Sequence, residues 1–530
     1  MEPKRPRNGE KTPGFKCFLL RTSLLAAVFL YGLDNAVVAN IQPVIATHFH
    51  VVDGLPWLSA GFMIGGLAVV MPLGNLYAVY EAKRLFLFFT VNFLAALALC
   101  GAAPSMPAEI VGRAWAGAGG NGMLHGLLTL VVRTSSARQL PVHLGYASIV
   151  CVLGFVLGPT VGGALELPSW RWALYLNIFL GLFVLLAGVF LIPSEQPTSR
   201  ALARSTIPSL DLAGTLLSTG SIVPFAVAAN CAGVLFNWTG SITILLYAVS
   251  AILLVGFVLQ QAFCIFTASS APLFPARLLR NTMVLMRSLF VAGSGILVYL
   301  ALYYVPLYFQ LARGASAVET AKHTLPLLLP LAFAVFASRC LVANPACYKL
   351  WMILGSAVGL IGAVLMSMIR VEAPMSATYG YQAMLGLGAG FFAQAAFAAA
   401  QTEVDSDNGT SDAILMLLGQ MSGLGLGLSA AGAIFVNTAK SRLADAFPNL
   451  DDMARSSMLA GTRSELFSSL GERDQALASV CIVAALRKVF IEAYVAATLA
   501  SVLSFLAKLD RKATVNQTDN REVNPVNASK

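Results

Sequence analysis

The sequence predicts an all-helical membrane protein whose chain crosses the bilayer fourteen times. Of its 530 residues, 57% are hydrophobic and only 11% are charged, and the mean hydropathy is +0.75, whereas soluble domains carry about a quarter charged residues. Many apolar segments reach the roughly 20 residues that a helix needs to cross a hydrocarbon core of about 30 Å. The formal net charge of +9 comes from basic residues between these segments and at the termini, a pattern typical of cytosolic loops and not of a nucleic-acid-binding face.

Fourteen apolar segments follow one another along the chain. We place them at residues 18–47, 56–79, 85–103, 107–130, 143–165, 171–193, 209–230, 239–263, 282–308, 318–338, 350–369, 377–401, 412–437 and 486–507. With a cytosolic N-terminus, basic pairs such as Lys83 with Arg84 and Arg133 with Arg138 fall in cytosolic loops, and the short outer loops carry almost no Lys or Arg. The long polar segment 438–485 carries several basic residues. The positive-inside rule, by which Lys and Arg concentrate in cytosolic loops, allows this because long loops are exempt from it.

The spans group into two halves. Spans 1–6 form an N-terminal half at residues 18–193, and spans 9–14 form a C-terminal half at 282–507, which includes the long outer loop 438–485. Two further spans lie between the halves at 209–263. The remaining segments are predicted to be cytosolic tails and connectors, at 1–17, 194–208, 264–281 and 508–530.

Glycine recurs every fourth residue in span 5 and again in span 13, the equivalent place in the second half. The stripe of span 5 also contains a proline, which bends the helix because it lacks an N–H and crowds the preceding turn. Bare helix faces let backbones approach closely, and matching interrupted helices in two halves indicate a transporter with a central site. Ordinary helix packing is the alternative. The residues are Gly154, Gly158, Pro159, Gly162 and Gly163 in span 5, and Gly419, Gly423 and Gly427 in span 13.

Three stretches resemble the motifs of the major facilitator superfamily: Leu33–Pro43 in span 1, Gly112–Gly120 in span 4 and Leu157–Gly163 in span 5. More narrowly, the chain resembles the fourteen-span drug:proton antiporter branch, in which two extra helices join the halves. Trp170–Asn177 and Tyr303–Gln310 are similar to fungal members that export toxins and secondary metabolites. The resemblance implies the major facilitator fold, with two six-helix halves plus two extra central helices, and exchange of a small molecule for protons by alternating access.

The resemblance also makes the glycine stripe of span 5 the antiporter motif, placed at the interface between the two halves and sealing the bundle against proton leak. A further stripe, Gly61 with Gly65 in span 2, is expected to form a companion seam with the stripe of span 13.

The loop between spans 2 and 3 departs from the superfamily pattern. Family members usually carry an aspartate there that forms a charge latch between the halves on the cytosolic side. Ala78 occupies that position here, whereas Gly74, Lys83 and Arg84 of the loop motif remain. The latch is therefore not expected in this protein.

Asp34 lies near the middle of span 1, where a carboxylate costs about 2.5–3.5 kcal/mol by insertion scales unless it faces a cavity or a partner. Burial favours the neutral form of a carboxyl and a nearby cation favours the charged form, so Asp34 can bind and release a proton as its surroundings change. A purely structural hydrogen bond to a neighbouring helix is the alternative.

The resemblance implies that Arg113, at the start of span 4, takes part in proton transfer. Because an arginine keeps its charge, it would act by tuning a nearby acid and organising water. The alternative is an anchor that reaches for the outer interface.

Four polar residues within the spans are candidates to line a substrate cavity near the midplane: Asn40, Gln394, Gln401 and Glu492. Gln394 and Gln401 are seven residues apart and share one helix face. At least one of these two is expected only to bond a neighbouring helix.

Other patterns limit the chemistry. Asn237, followed by Trp238 and Thr239, forms an N-glycosylation pattern in a loop that the topology places outside. The eight cysteines lie singly, and we find no metal-binding cluster, no Ser/His/Asp arrangement and no Walker-type phosphate loop. We therefore expect no enzyme activity, no cofactor, no metal site and no nucleic-acid partner.

The expected function is export of a small amphipathic or apolar compound, such as a toxin, a drug or a fungal secondary metabolite, driven by inward proton flow. We expect a monomer in the plasma membrane, with the vacuolar membrane as the alternative location. Two other functions stay open: an importer of an iron chelate or nutrient on the same fold, and a non-transporting membrane sensor, which usually carries a large cytosolic domain.

Overall fold

The computed structural model describes the chain from residue 14 to residue 506, except for several short stretches. These stretches are 50, 136–138, 167–168, 193–210, 233–235, 266–272, 274–281, 342–347, 403–408, 452–454, 456–457, 460–466 and 468–469. The predicted connector 194–208 and tail 508–530 therefore lie outside the described residues, as do most of the connector 264–281 and of the tail 1–17.

The described residues form fourteen long helices. In chain order they are α1 Gly14–His48, α2 Leu55–Val79, α3 Ala82–Gly101, α4 Met106–Thr134, α5 Leu140–Glu166, α6 Arg171–Leu191, α7 Leu212–Cys231, α8 Ser241–Phe263, α9 Thr282–Leu307, α10 Ala317–Leu341, α11 Tyr348–Ser367, α12 Met375–Thr402, α13 Gly409–Ala446 and α14 Glu472–Leu506. Within this part of the chain, eleven are long and apolar enough to cross a membrane. The remaining three, α4, α12 and α14, have 29, 28 and 35 residues. The predicted all-helical membrane fold with fourteen helices is confirmed.

Helix packing repeats between the two halves with an offset of eight helices. In the first half, α1 packs on α5 and α6, α4 packs on α2 and α3, and α3 packs on α6. In the second half, α9 packs on α13 and α14, α12 packs on α10 and α11, and α11 packs on α14. Both halves therefore have the same internal arrangement, as in transporters built from structural repeats.

The halves meet where α2 packs on α13 and where α5 packs on α10. These two contacts are also equivalent under the offset of eight helices. Helix α7 lies across the first contact, since Thr219 Oγ1 donates to the Ala68 carbonyl at 2.9 Å and Asn230 Nδ2 donates to Ser429 Oγ at 2.7 Å. The extra helices are thus attached at the junction of the halves.

Helix α8 forms an apolar outer face. It packs on α7 and exposes large aliphatic and aromatic side chains along its length: Ile242, Ile244, Leu245, Ile252, Leu254, Val255, Val258, Leu259 and Phe263. In water such a surface would be unfavourable, whereas in a bilayer it faces lipid. The α7–α8 pair therefore extends the bundle into the membrane.

The glycine stripe of α5 packs mainly on α1 in its own half. A Cβ at Gly154 would lie 2.6 Å from the Phe29 carbonyl oxygen, and one at Gly158 would lie 3.0 Å from the Val37 nitrogen. Only Gly163 of this stripe meets the second half, where a Cβ would lie 2.8 Å from the Ala317 carbonyl carbon. This corrects the expectation that the whole motif lies between the halves.

The expected companion seam between α2 and α13 is also wrong in its residues. The stripe of α13 faces α9, since a Cβ at Gly427 would lie 2.8 Å from Ile296 Cγ1. Gly65 of α2 meets the backbone of Ala114 in α4. Where α2 and α13 do meet, the bare positions are Gly425 and Gly432. Every-fourth-residue spacing shows that a face is bare, and it does not show which helix covers that face.

The long outer loop is shorter than predicted. Helix α13 continues to Ala446 and α14 begins at Glu472, so both helices extend into the segment 438–485. Lys440, in this extension, forms an ion pair with Asp53 at 2.8 Å. Hydropathy fails to detect such extensions because a helix that leaves the bilayer becomes polar without ending.

Candidate functional site

The polar centre of the first half is an ion pair between α1 and α4. Arg113 Nη1 donates to Asp34 Oδ2 at 2.8 Å, and both side chains are 0% exposed. The Arg113 Nε also donates to the Leu58 carbonyl at 3.2 Å, and the guanidinium lies 4.7 Å from the centre of the Phe62 ring. The two predicted coupling residues are thus brought together, and Arg113 does not reach for the outer interface.

Two residues that the sequence reasoning did not select complete this pair. Asn177 Nδ2 of α6 donates to Asp34 Oδ1 at 3.3 Å. Tyr303 of α9 lies near both Asp34 and Arg113, and its hydroxyl donates to Asn35 Oδ1 at 3.4 Å. Both residues lie in stretches that resemble the fungal members, which was the available signal. Through Tyr303 the charged site of the first half contacts the second half.

Glu109, one helical turn before Arg113, was missed altogether. Its side chain is 0% exposed, and neither carboxyl oxygen makes a hydrogen bond in the described structure. An acid in the first turn of a helix is usually explained by the helix dipole at an exposed end. Sequence position alone therefore does not indicate that Glu109 lies inside the bundle.

A cavity of about 300 Å³ lies between the two halves. It is lined by α1, α4 and α5 on one side and by α9, α10, α12 and α13 on the other. Most of these residues lie between the helix midpoints and the ends that the charge pattern assigns to the cytosol, whereas Val298, Tyr299 and Leu302 lie past the midpoint of α9. None of its described lining residues is charged. Polar groups come from residues such as Tyr31, Tyr299, Ser294 and Gln420, among apolar side chains such as Phe155.

Asn40 does not line this cavity; it joins the halves on the outer side. Its Nδ2 donates to the carbonyls of Pro159 at 3.0 Å and Ala317 at 3.2 Å, and Gln310 Nε2 donates to the Asn40 carbonyl at 2.7 Å. Gln310 lies in a π-helical turn, Tyr308–Ala312, that follows Pro306 at the end of α9. Because these bonds use the Asn40 amide, its expected role as a cavity residue is not what this conformation shows.

Further contacts close the same side. Asp53, just before α2, is paired with Lys440 of α13, and a Cβ at Gly432 would overlap Pro56. The bundle is therefore closed on its outer side, while the cavity lies on the cytosolic side.

The structure describes the side chain of only one of the three other cavity candidates. The side chains of Gln394 and Gln401 in α12 lie outside the described residues. Glu492 of α14 does not line the cavity; its Oε2 is buried without a hydrogen-bond partner in the described structure, and Tyr304 lies close to it. The cavity residues Tyr31 and Tyr299 were not predicted, although tyrosine within a span is a usable signal because its hydroxyl needs a partner.

In the loop motif between α2 and α3, Lys83 binds the C-terminal end of α6. Lys83 Nζ donates to the carbonyls of Val189 and Ile192 at 2.8 and 2.7 Å, at the C-terminal end of α6. Arg84 pairs with Glu81 at 2.7 Å, and Gly74 lies in α2. Lys83 therefore satisfies the free carbonyls of a helix end inside the same half.

Asn237 lies in the turn between α7 and α8. Its side chain is exposed, as is that of Thr239. Its backbone carbonyl accepts from Gly240 N and Thr243 Oγ1, both at 2.9 Å. The acceptor amide is thus free of the protein core.

Two similar six-helix halves with a cavity between them, closed at one end, define a membrane transporter. The Major Facilitator Superfamily model matches residues 24–430 of this chain. The chain belongs to the major facilitator superfamily. The expectation of a multi-pass transporter for small molecules, and not an enzyme, is confirmed by this membership.

Named relatives agree with this class. The chain is 35% identical to the phomenoic acid biosynthesis cluster MFS-type transporter of Leptosphaeria maculans, covering 93% of this chain and 82% of that protein. It is 34% identical to efflux pump patC of Aspergillus clavatus, covering 94% and 92%. Among solved structures, a bacterial homologue of the human lysosomal transporter Spinster, inward-facing and unoccupied, aligns with a TM-score of 0.61 and 16% identity over 96% of this chain and 99% of that one. The suspected resemblance to fungal efflux transporters is confirmed.

Proposed function

We propose that this protein exports a neutral, amphipathic small molecule in exchange for protons, by alternating access. The single observation that carries the proposal is the Asp34–Arg113 ion pair, wholly buried and next to Tyr303 of the other half. A buried pair of this kind is a functional hypothesis by default, because removing charge from water is unfavourable and is tolerated where the charge has a task.

Protonation of Asp34 would change the contacts between the halves. A proton on Asp34 cancels the charge that holds Arg113 and weakens a hydrogen bond that is strong because both groups are ionised. Arg113 then needs other acceptors, and the nearest part of the second half, at Tyr303, feels the change. The proton state of the first half is in this way coupled to the position of the second half.

The cavity supports a neutral cargo. Its described lining lacks a charged side chain, so a charged compound would lose hydration without gaining a counter-charge. Hydroxyl and amide groups on an apolar wall suit a compound with a few polar atoms on a hydrophobic frame. Relatives named as an efflux pump and as a biosynthetic-cluster transporter support an exported secondary metabolite.

The proton gradient is sufficient to drive such export. A membrane potential of 100 mV supplies about 2.3 kcal/mol for each proton that enters, which is a roughly fiftyfold gradient for one neutral molecule per proton.

The closed outer contacts of Asn40 and Lys440 have to separate for release. The conformation described here accordingly accepts cargo from the cytosolic side.

Retention of Nile red, a neutral amphipathic dye, tests the direction of transport. We expect cells of a host stripped of its own pumps to retain less dye when they express this protein, and to regain it when a protonophore is added. Higher dye retention on expression would instead favour the importer. If expression changed neither the retention of the dye nor its rate of efflux, the result would favour the sensor.

Tyr31→Phe tests the cargo chemistry of the cavity. The Tyr31 hydroxyl is buried among the cavity-lining residues with Asn121 and Tyr299 near it, so two probes are compared to separate a lost bond to cargo from a change within the protein. One hydrogen bond to cargo contributes about 1 kcal/mol, so affinity for a carbonyl-bearing probe such as Nile red should fall roughly fivefold. Binding of diphenylhexatriene, a pure hydrocarbon, should not change. Equal losses for both probes would contradict hydrogen bonding by Tyr31.

We propose that the chain acts as a monomer in the plasma membrane.

Asn237 is the proposed glycosylation site. We expect endoglycosidase to increase the electrophoretic mobility of the wild-type protein made in a fungal host, and to leave Asn237→Gln unchanged. A mobility shift that persists in the variant would place a glycan elsewhere and contradict the topology.

A further inference from the structure

We propose that Glu109 is a second proton-binding carboxyl, which receives the proton from the outer side and passes it to Asp34. This inference rests on the proposed proton coupling and adds a residue to it. Glu109 belongs to none of the motifs on which that coupling was argued.

The surroundings of Glu109 require it to be neutral in this conformation. Its carboxyl is fully buried and both oxygens lack a hydrogen-bond partner. Cys100 of α3 lies beside Glu109 and donates its thiol to the Glu109 backbone carbonyl, at 3.9 Å. A buried carboxylate whose oxygens accept no hydrogen bond is strongly disfavoured, and a group in that position takes up a proton.

The charges around Glu109 allow one proton to be shared. The groups that act on it are Arg113 on its own helix, Asp34 on α1, Cys100 on α3 and Arg171 on α6. Arg171 is engaged by the carbonyls of Gly101 and Ala103, at 2.7 and 2.9 Å. Arg113 is thus the cation that two carboxyls can share, and one proton makes the group of three electrically neutral.

Arg113 also has a donor that the ion pair does not use. Its Nη1 and Nε are bonded to Asp34 and to the Leu58 carbonyl, while the buried Nη2 takes part in neither bond. Rotation of the guanidinium can therefore release Asp34 and engage Glu109. The exchange is balanced: the proton leaves a Glu109 oxygen and binds an Asp34 oxygen, Glu109 becomes the carboxylate, and Arg113 changes partner. The total charge of the group stays the same.

The position of Glu109 sets the direction of the relay. Helix α4 starts on the outer side, and Glu109 precedes Arg113 by four residues, which is about 6 Å along the axis. Met106, Trp170 and Arg171 belong to the outer ends of α4 and α6, and Trp170 and Met106 are buried there. Opening of the outer side would expose Glu109 before Asp34. A proton from outside therefore meets Glu109 first.

Glu109→Gln tests the relay because it keeps the shape and removes the titratable group. In proteoliposomes with a pH difference, we expect Nile red to accumulate on the acidic side with wild-type protein and not with Glu109→Gln. Exchange of dye without a gradient should continue at the wild-type rate, since the cavity is intact. Glu109→Asp should recover accumulation. Glu372→Gln, which removes an exposed carboxyl between α11 and α12, is the matched control and should behave as wild type.

Infrared absorption of protonated carboxyl groups gives a second readout that does not need transport. In purified wild-type protein at neutral pH, one component of the protonated-carboxyl absorption band should come from Glu109. Glu109→Gln should remove this component, and Glu372→Gln should leave it unchanged. Wild-type accumulation and an unchanged infrared titration in Glu109→Gln would overturn the role of Glu109. If wild type itself ignored the pH difference, the proposed coupling would fail, and the infrared titration would still decide whether Glu109 holds a proton.

Discussion

Asp34→Asn is expected to abolish proton-driven transport while the protein remains in the membrane. Asparagine fills the same volume but cannot ionise, so the site can no longer exchange a proton. Accumulation of Nile red on the acidic side of proteoliposomes should fall to the level of protein-free liposomes. Removing one partner of a buried ion pair also destabilises a protein, by about 3–5 kcal/mol, because Arg113 stays charged and unpaired.

Two controls separate lost coupling from lost folding. The double variant Asp34→Asn with Arg113→Gln removes both charges, and should regain thermal stability without regaining proton-driven transport. Asp474→Asn changes an exposed aspartate in the first turn of α14 and should leave transport intact. Wild-type accumulation in Asp34→Asn would remove Asp34 from the coupling role.

Gly158→Leu is expected to abolish transport without preventing membrane insertion. Even a Cβ at this position would overlap Ala36 and lie 3.0 Å from the Val37 nitrogen, so a leucine forces α1 away from α5. Overpacking of this kind costs about 1–3 kcal/mol or more. It also displaces Asp34, which lies on α1 only two residues before Ala36. We expect normal amounts in membrane fractions and dye exchange at the level of empty liposomes.

The matched control is Gly380→Leu. Gly380 lies in α12 with no atom near the position of a Cβ, so the same change there adds bulk without a clash. Transport should remain within the range of wild type. If Gly158→Leu transported equally well, the close approach of α1 and α5 would be ordinary packing without a role in transport.

The fold was largely predictable because the lipid bilayer, acting as the solvent, imposes an apolar composition on every span. Each span had to be apolar over the bilayer thickness, so fourteen segments could be placed from hydropathy and charge alone. The extensions of α13 and α14 beyond the bilayer could not, because there the helix is polar. Packing partners also escaped prediction: the Gly419 stripe shows a bare face, and only the three-dimensional structure shows that α9 covers it.

The site was predictable in its motifs and not in its connections. Asp34 was found because charge inside a span is rare, and Arg113 was found through the motif that resembles the superfamily. Their pairing could not be found in this way, because it joins residues 79 positions apart. Glu109 was missed because the first turn of a helix is an ordinary place for an acid. Asn40 was placed in the wrong environment since its amide bonds the backbone of two other helices. Such long-range bonds leave no local pattern.

Nile red flux in proteoliposomes under an imposed pH difference tests the central claim most directly. With purified wild-type protein, the dye should accumulate on the acidic side, whichever side that is, because cargo and protons move in opposite directions. A protonophore should abolish the accumulation, and ATP should have no effect on it. Accumulation on the alkaline side, or equal dye on both sides with active exchange, would contradict proton-coupled export.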